Sequence, residues 1–170
     1  MKLKKLYISR EVAAITGLSA RQLQWWDQRG IFAPSIRSQR TERGGFTERR
    51  YTPIELLELM VLADLRRRRF SMSRLRRLLS VLRTRFKVRL YDAIEGTGPV
   101  TLYIDRDKIY ARTGDGDLFN VLDQPDQPLL VVGENTRLRE LTVREPPGRR
   151  RGTSGAPGSP RRRTPRRSAS

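Results

Sequence analysis

Over the first half of the chain, apolar positions recur at helical spacing and are broken by short polar turns. In "ISREVAAITG", Val12 and Ile15 share a face, Ser9 is placed to cap the start, and Gly17 suits the position after the last turn. A second helix follows, with Ser19 and Gln22 spaced as a capping box and Gly30 at its close. Leu23, Trp26 and Gly30 fall on one side of it, and Arg21, Gln24, Trp25 and Gln28 on the other. Two short helices joined through Gly17 predict a helix-turn-helix outline. Residues 31–51 read as a two-stranded excursion turning at "TERGG". Thr52, Pro53 and Glu55 then start a third helix carrying Ile54, Leu57, Val61 and Leu65 and ending near Arg68. Ser71 caps a fourth, striped by Met72, Leu75, Leu78, Leu79 and Leu82.

After about residue 90 the period shortens. "VTLYID", "KIYAR" and "LFNVL" predict short strands separated by "DRD" and "TGDGD", "PLLVVG" a further strand, and "ENTRLREL" a closing helix. From Pro146 onward the chain holds no apolar residue beyond two Ala and is expected to be disordered. The fold class expected is α+β: a winged helix-turn-helix domain over 1–83, a helical connector over 84–95, a β-rich unit over 96–145 and a basic tail over 146–170.

Charge sharpens these boundaries. The 170 residues carry a net +18, distributed as 22 Lys+Arg against 7 Asp+Glu over 1–90, 6 against 11 over 91–145, and 8 against none over 146–170. A field of that sign and size favours a polyanion, and double-stranded DNA is the partner expected. Without Cys or His there is no thiolate or imidazole for metal binding, redox chemistry or proton shuttling at neutral pH. No nucleophile–base pair or phosphate-cradling Gly loop can be read either, so an enzyme is not expected. Asp105, Asp107, Asp115 and Asp117 are hard oxygen donors, but they sit in turn signals too short for a calcium loop. They are read as turn formers, with no metal or cofactor. The start "MKLKKLYISREV" has no apolar stretch behind its lysines, and no apolar run could span a bilayer. The expected location is the cytoplasm, on the nucleoid, with no membrane partner.

The exposed side of the second helix carries the chemistry. Arg and Gln are side chains that reach base edges and phosphates in a major groove. Together "YISREVAAITGLS", "WWDQRGI", "ERRYTPIELLEL" and "RFSMSRLRRLL" resemble, in order and spacing over residues 6–83, the MerR family of bacterial transcription regulators. That resemblance implies a homodimer on near-palindromic promoter DNA, which it bends and underwinds to control RNA polymerase. Carried over by position, Ser19, Arg21, Gln22, Gln24 and Trp25 lie on or beside the recognition surface, and Arg37, Arg49, Arg50 and Tyr51 are phosphate-positioning groups of the wing. Three features depart from the family pattern: Trp25-Trp26 replaces the usual Tyr pair, Gln24 stands where Arg is common, and the wing is a few residues longer. The long dimerising helix is also missing, because Gly96, Gly98 and Pro99 end any helix soon after Leu82. Dimerisation would then involve a short helix or the 96–145 unit, and a monomeric binder stays open. The alternative functions are an excisionase-like DNA-bending protein and an antitoxin-like regulator that holds a partner protein through 96–145.

Overall fold

The computed structural model describes residues 4–96, 98–129 and 139–141. In chain order these form β1 (Tyr7–Ile8), α1 (Ser9–Thr16), α2 (Ala20–Gln28), β2 (Arg50–Tyr51), α3 (Pro53–Arg67), α4 (Met72–Thr84), α5 (Leu90–Ile94), β3 (Val100–Asp105), β4 (Lys108–Thr113), β5 (Leu118–Asn120), β6 (Gln124–Leu129) and β7 (Arg139–Glu140). Helix and strand are mixed as expected of an α+β chain. The tail from residue 146 lies outside the described residues.

Helices begin where side chains satisfy the orphan amides of the first turn. Thr52 Oγ1 accepts from Glu55 N at 3.3 Å while Glu55 Oε2 accepts from Thr52 N at 2.7 Å. Ser71 caps α4 by accepting from Arg74 N at 3.3 Å. The start of α1 differs from expectation. Ile8, not Ser9, is its extended cap, because β1 pairs with β2 (Tyr7 opposite Tyr51, Ile8 opposite Arg50) and holds Ile8 out of the helix. Glu11 turns back instead, its Oε2 accepting from Ile8 N at 3.1 Å.

α3 runs through the centre of the core. Leu59, Leu62 and Leu65 are fully buried, whereas Ile54, expected on the inner stripe, is 39% exposed and Leu57 only half-buried. Val61 and Leu65 of that stripe are buried, and neighbours on more than one side bury Leu56, Met60 and Ala63 as well, which widens the inner face beyond one stripe.

Strands β3 to β7 form one antiparallel sheet in the order β6-β5-β4-β3-β7. Along β3, Val100, Leu102 and Ile104 point inward and alternate with half-exposed Thr101, Tyr103 and Asp105. The inward face joins the helices in a single buried cluster running from Tyr7 and Val12 to Ile109, Val121 and Leu141. The two Asp-bearing turns sit at opposite ends of β4, so the four carboxylates do not converge, and no three potential metal ligands gather among the described residues. The last strand pairs differ from expectation. β6 begins at Gln124 rather than within "PLLVVG", whose residues 130–133 are outside the described set, and Arg139–Glu140 of the expected closing helix are a strand on β3.

α5 bridges the two halves. Glu58 on α3, 3% exposed, accepts from Arg89 Nε at 3.2 Å, Arg89 Nη2 at 2.8 Å and Tyr91 N at 3.1 Å. The buried carboxylate is thereby paired and hydrogen-bonded, the condition under which burying a charge is tolerated. The Glu58 hydrogen bond also holds the Arg89 guanidinium above its ordinary value. Among the described residues no helix is longer than the 15-residue α3, and none is long and apolar enough to cross a membrane.

Candidate nucleic-acid interface

The turn between α1 and α2 is held by backbone geometry and one long side chain. Gly17 adopts φ +76°, a left-handed conformation costly for any residue with a Cβ, and donates its N–H to Ala13 O at 2.9 Å. Thr16, 2% exposed, donates to Val12 O and accepts from Leu18 N. From α3, Arg67 Nη1 reaches across to Thr16 O at 3.2 Å. This contact ties the turn to the core, and the spacing along the chain gave no signal of it.

α2 starts at the expected box. Ser19 Oγ accepts from Gln22 N at 3.1 Å, and Gln22 Oε1 accepts from Ser19 N at 2.8 Å. Both residues are exposed, but their oxygens are already engaged in holding the helix start. Leu23 and Trp26 are each 2% exposed and close the core, while Arg21, Gln24, Trp25 and Gln28 face outward. Ser19, Arg21, Gln22, Gln24 and Trp25 line one shallow depression together with Gln28. The adjacent tryptophans thus divide the work: Trp26 is core, and Trp25 is 39% exposed with the Arg29 guanidinium 5.4 Å above its ring. Such a cation–π contact is worth about 0.5–1 kcal/mol at an exposed site and restrains both side chains.

Residues 31–51 leave α2 after Gly30 (φ +63°), where Ile31 N bonds back to Trp26 O at 2.9 Å. The expected pair of strands is reduced to two isolated bridges, Ile36 opposite Arg50 and Arg40 opposite Phe46, while β2 pairs along its other edge with β1. The base is fastened to α2 through Asp27, which accepts from Arg49 Nε at 3.0 Å and lies 3.9 Å from Arg37 Nε. A second fastening joins it to α3, where Ser35 N donates to Glu55 Oε1 at 2.7 Å. In "WWDQRGI" the acidity of Asp27 among arginines is the signal that the sequence offers for this role.

The four wing residues singled out from the sequence therefore occupy different places. Arg37 is exposed beside Asp27, Arg49 is largely covered by its ion pair, and Arg50 is exposed next to Ile36, Gln39 and Thr47. Tyr51 departs from the expected surface position. It is 1% exposed, because its strand residue faces Tyr7 and the core, so it backs the surface rather than forming it. Burial pushes its hydroxyl up, against a Ser9 hydrogen bond and the Arg49 charge that pull it down.

An exposed Arg/Gln/Trp helix face, fastened to an arginine-rich projection, can present donors to base edges and cations to phosphates at once. Compared with known families, residues 7–82 match the model of the MerR HTH family regulatory proteins, which bears out the resemblance read from the motifs. A comparison with curated proteins gives no match.

Proposed function

Because residues 7–82 match the model of the MerR HTH family regulatory proteins, we propose that this protein is a sequence-specific, double-stranded-DNA-binding transcription regulator acting in the cytoplasm on the nucleoid. α2 lies in the major groove. Arg21, Gln24 and Trp25 contact base edges, with Ser19 and Gln22 setting the height at which the helix meets the phosphates. Arg37 and Arg50 of the wing bind backbone phosphates, Arg49 holds the wing to α2, and Tyr51 supports it from behind. The protein works as a homodimer on a near-palindromic promoter site, and distortion of that DNA is what RNA polymerase responds to. With no long helix after α4 among the described residues, the dimer contact is assigned to the β-rich unit over 96–145. The acidic balance of that unit keeps it off the DNA.

One observation supports this reading most: the outward face of α2 is polar, uncovered and fastened at Asp27 to the arginine-rich segment. The test is a gel-shift salt series on the DNA upstream of the protein's own gene, competed by random duplex and followed by hydroxyl-radical footprinting. A shift that survives competitor, with two protected half-sites about one helical turn apart, is expected. Binding that tracks salt alone, with no preferred sequence, would overturn regulation by sequence and leave a DNA-packaging protein.

A further inference from the structure

Of the large apolar side chains left in solvent, Phe46 stands out at 72% exposed, against 43% for Ile36 and 39% for Trp25 and Ile54. It sits where residues 31–51 turn back, opposite Arg40. A single surface apolar residue is ordinary by itself; this one is carried on a braced support. Thr41 N donates to Gly45 O at 2.7 Å, Gly44 N to Thr41 O at 3.0 Å, and Thr47 N to Gln39 O at 2.8 Å. The Thr47 hydroxyl accepts from Gln39 N at 2.8 Å, and Ser38 Oγ donates to Thr47 O at 2.7 Å. The bracing flanks Phe46 on both sides and is tied through Asp27 to α2, so little conformational freedom would be lost when the ring docks.

The surroundings choose the occupant. Residues 31–51 hold five arginines against two glutamates, and Arg40, Arg43 and Arg50 form no ion pair among the described residues. A hydrophobic ring set among free guanidinium groups suits a partner that is polyanionic outside and apolar between its layers, which is duplex DNA seen from the minor groove.

We propose that Phe46 is an apolar wedge: the tip of the wing enters the minor groove beside the major-groove site of α2, and the ring inserts between two base pairs. Arg40 and Arg43 hold the flanking phosphates. The ring partly unstacks one step and kinks the duplex toward the major groove of that step. This rests on the DNA-binding reading above and adds to it the site of distortion.

The experiment uses the full chain and a duplex that it selects from a random pool, with 2-aminopurine placed in turn along the site and fluorophores at the ends to report bending. Wild-type protein should brighten 2-aminopurine at one step and shorten the end-to-end distance. Phe46→Ala should abolish both signals and weaken binding roughly tenfold, and Phe46→Leu, still an apolar wedge, should keep most of each. A duplex bound by wild type with no brightened step would overturn the wedge, as would Phe46→Ala protein that bends and binds it within about twofold of wild type. Failure to select any duplex would overturn the DNA-binding reading itself and the wedge with it. Since Phe46 lies mostly in water, unchanged thermal unfolding of the variants checks that the loss is not one of folding.

Discussion

The ion pair between Asp27 and Arg49 can be sized from the structure. Asp27 retains 13% of its side-chain exposure and Arg49 24%, and the contact is a charge-assisted hydrogen bond of 3.0 Å from Nε. Bonds of this kind contribute about 1.5–3 kcal/mol net, and partial access to water places this one near the lower end. Arg37 offers an internal control on the same carboxylate. At 3.9 Å and 67% exposed it should contribute about 0–0.5 kcal/mol. A double-mutant cycle of Asp27→Ala with Arg49→Ala, read by urea unfolding through tryptophan fluorescence, should give a coupling of about 1.5 kcal/mol. The cycle with Arg37→Ala should give less than about 0.5 kcal/mol. Both tryptophans lie on α2, so the probe reports the helix to which the pair is anchored. Asp27→Ala should also weaken binding to the selected site, since the wing loses its fixed placement. A coupling below about 0.5 kcal/mol for Arg49, or equal coupling for both arginines, would refute the claim that Asp27 fastens the wing through Arg49.

Arg21→Ala should weaken binding to the selected site by about 1–3 kcal/mol while costing random duplex much less; an equal loss on both would remove Arg21 from base reading. Glu11 is held below the usual carboxylate value, first by its hydrogen bond with Lys4 and then by the Ile8 amide. A carboxyl lowered in the folded state stabilises it above the ordinary value of 4.5 and loses that contribution as pH falls through the lowered one. Acid titrations of stability should therefore show wild type and Glu11→Gln converging at low pH, and a gap that persists below both values would contradict this. Removing residues 146–170, with their 8 Arg, should flatten the salt dependence of DNA binding and leave site preference unchanged. Loss of preference in the same gel shifts would show that the tail does more than neutralise phosphates.

What could be read early and what could not divides along one physical line. The start of α2 and the burial of Leu23 and Trp26 against an exposed Arg21, Gln24 and Trp25 were legible, because capping and helical periodicity join residues three or four apart. The same holds for the Thr52 and Ser71 caps and for β3 and β4, whose alternation and turns are local. Elsewhere a partner distant in the chain decides. Ile8 rather than Ser9 caps α1 because Arg50 pairs with it, and Tyr51 is core because Tyr7 lies opposite. Ile54 stays in water although its spacing matched the inner stripe. Arg139–Glu140, read as helix, became a strand because β3 offered an open edge.

The sequence by itself determined the chemistry of the protein: its positive charge and where that charge lies, the missing thiol and imidazole, the capped helix pair and its polar face. Those depend on composition and on neighbours within a turn of helix. Only the tertiary structure decided how the pieces face one another, through Asp27 holding Arg49, Arg67 reaching the α1–α2 turn, Glu58 gripping Arg89, and Phe46 left in solvent on a braced tip. Each joins residues more than twenty positions apart, or is set by what fails to cover a side chain, and neither leaves a period in the chain to be read.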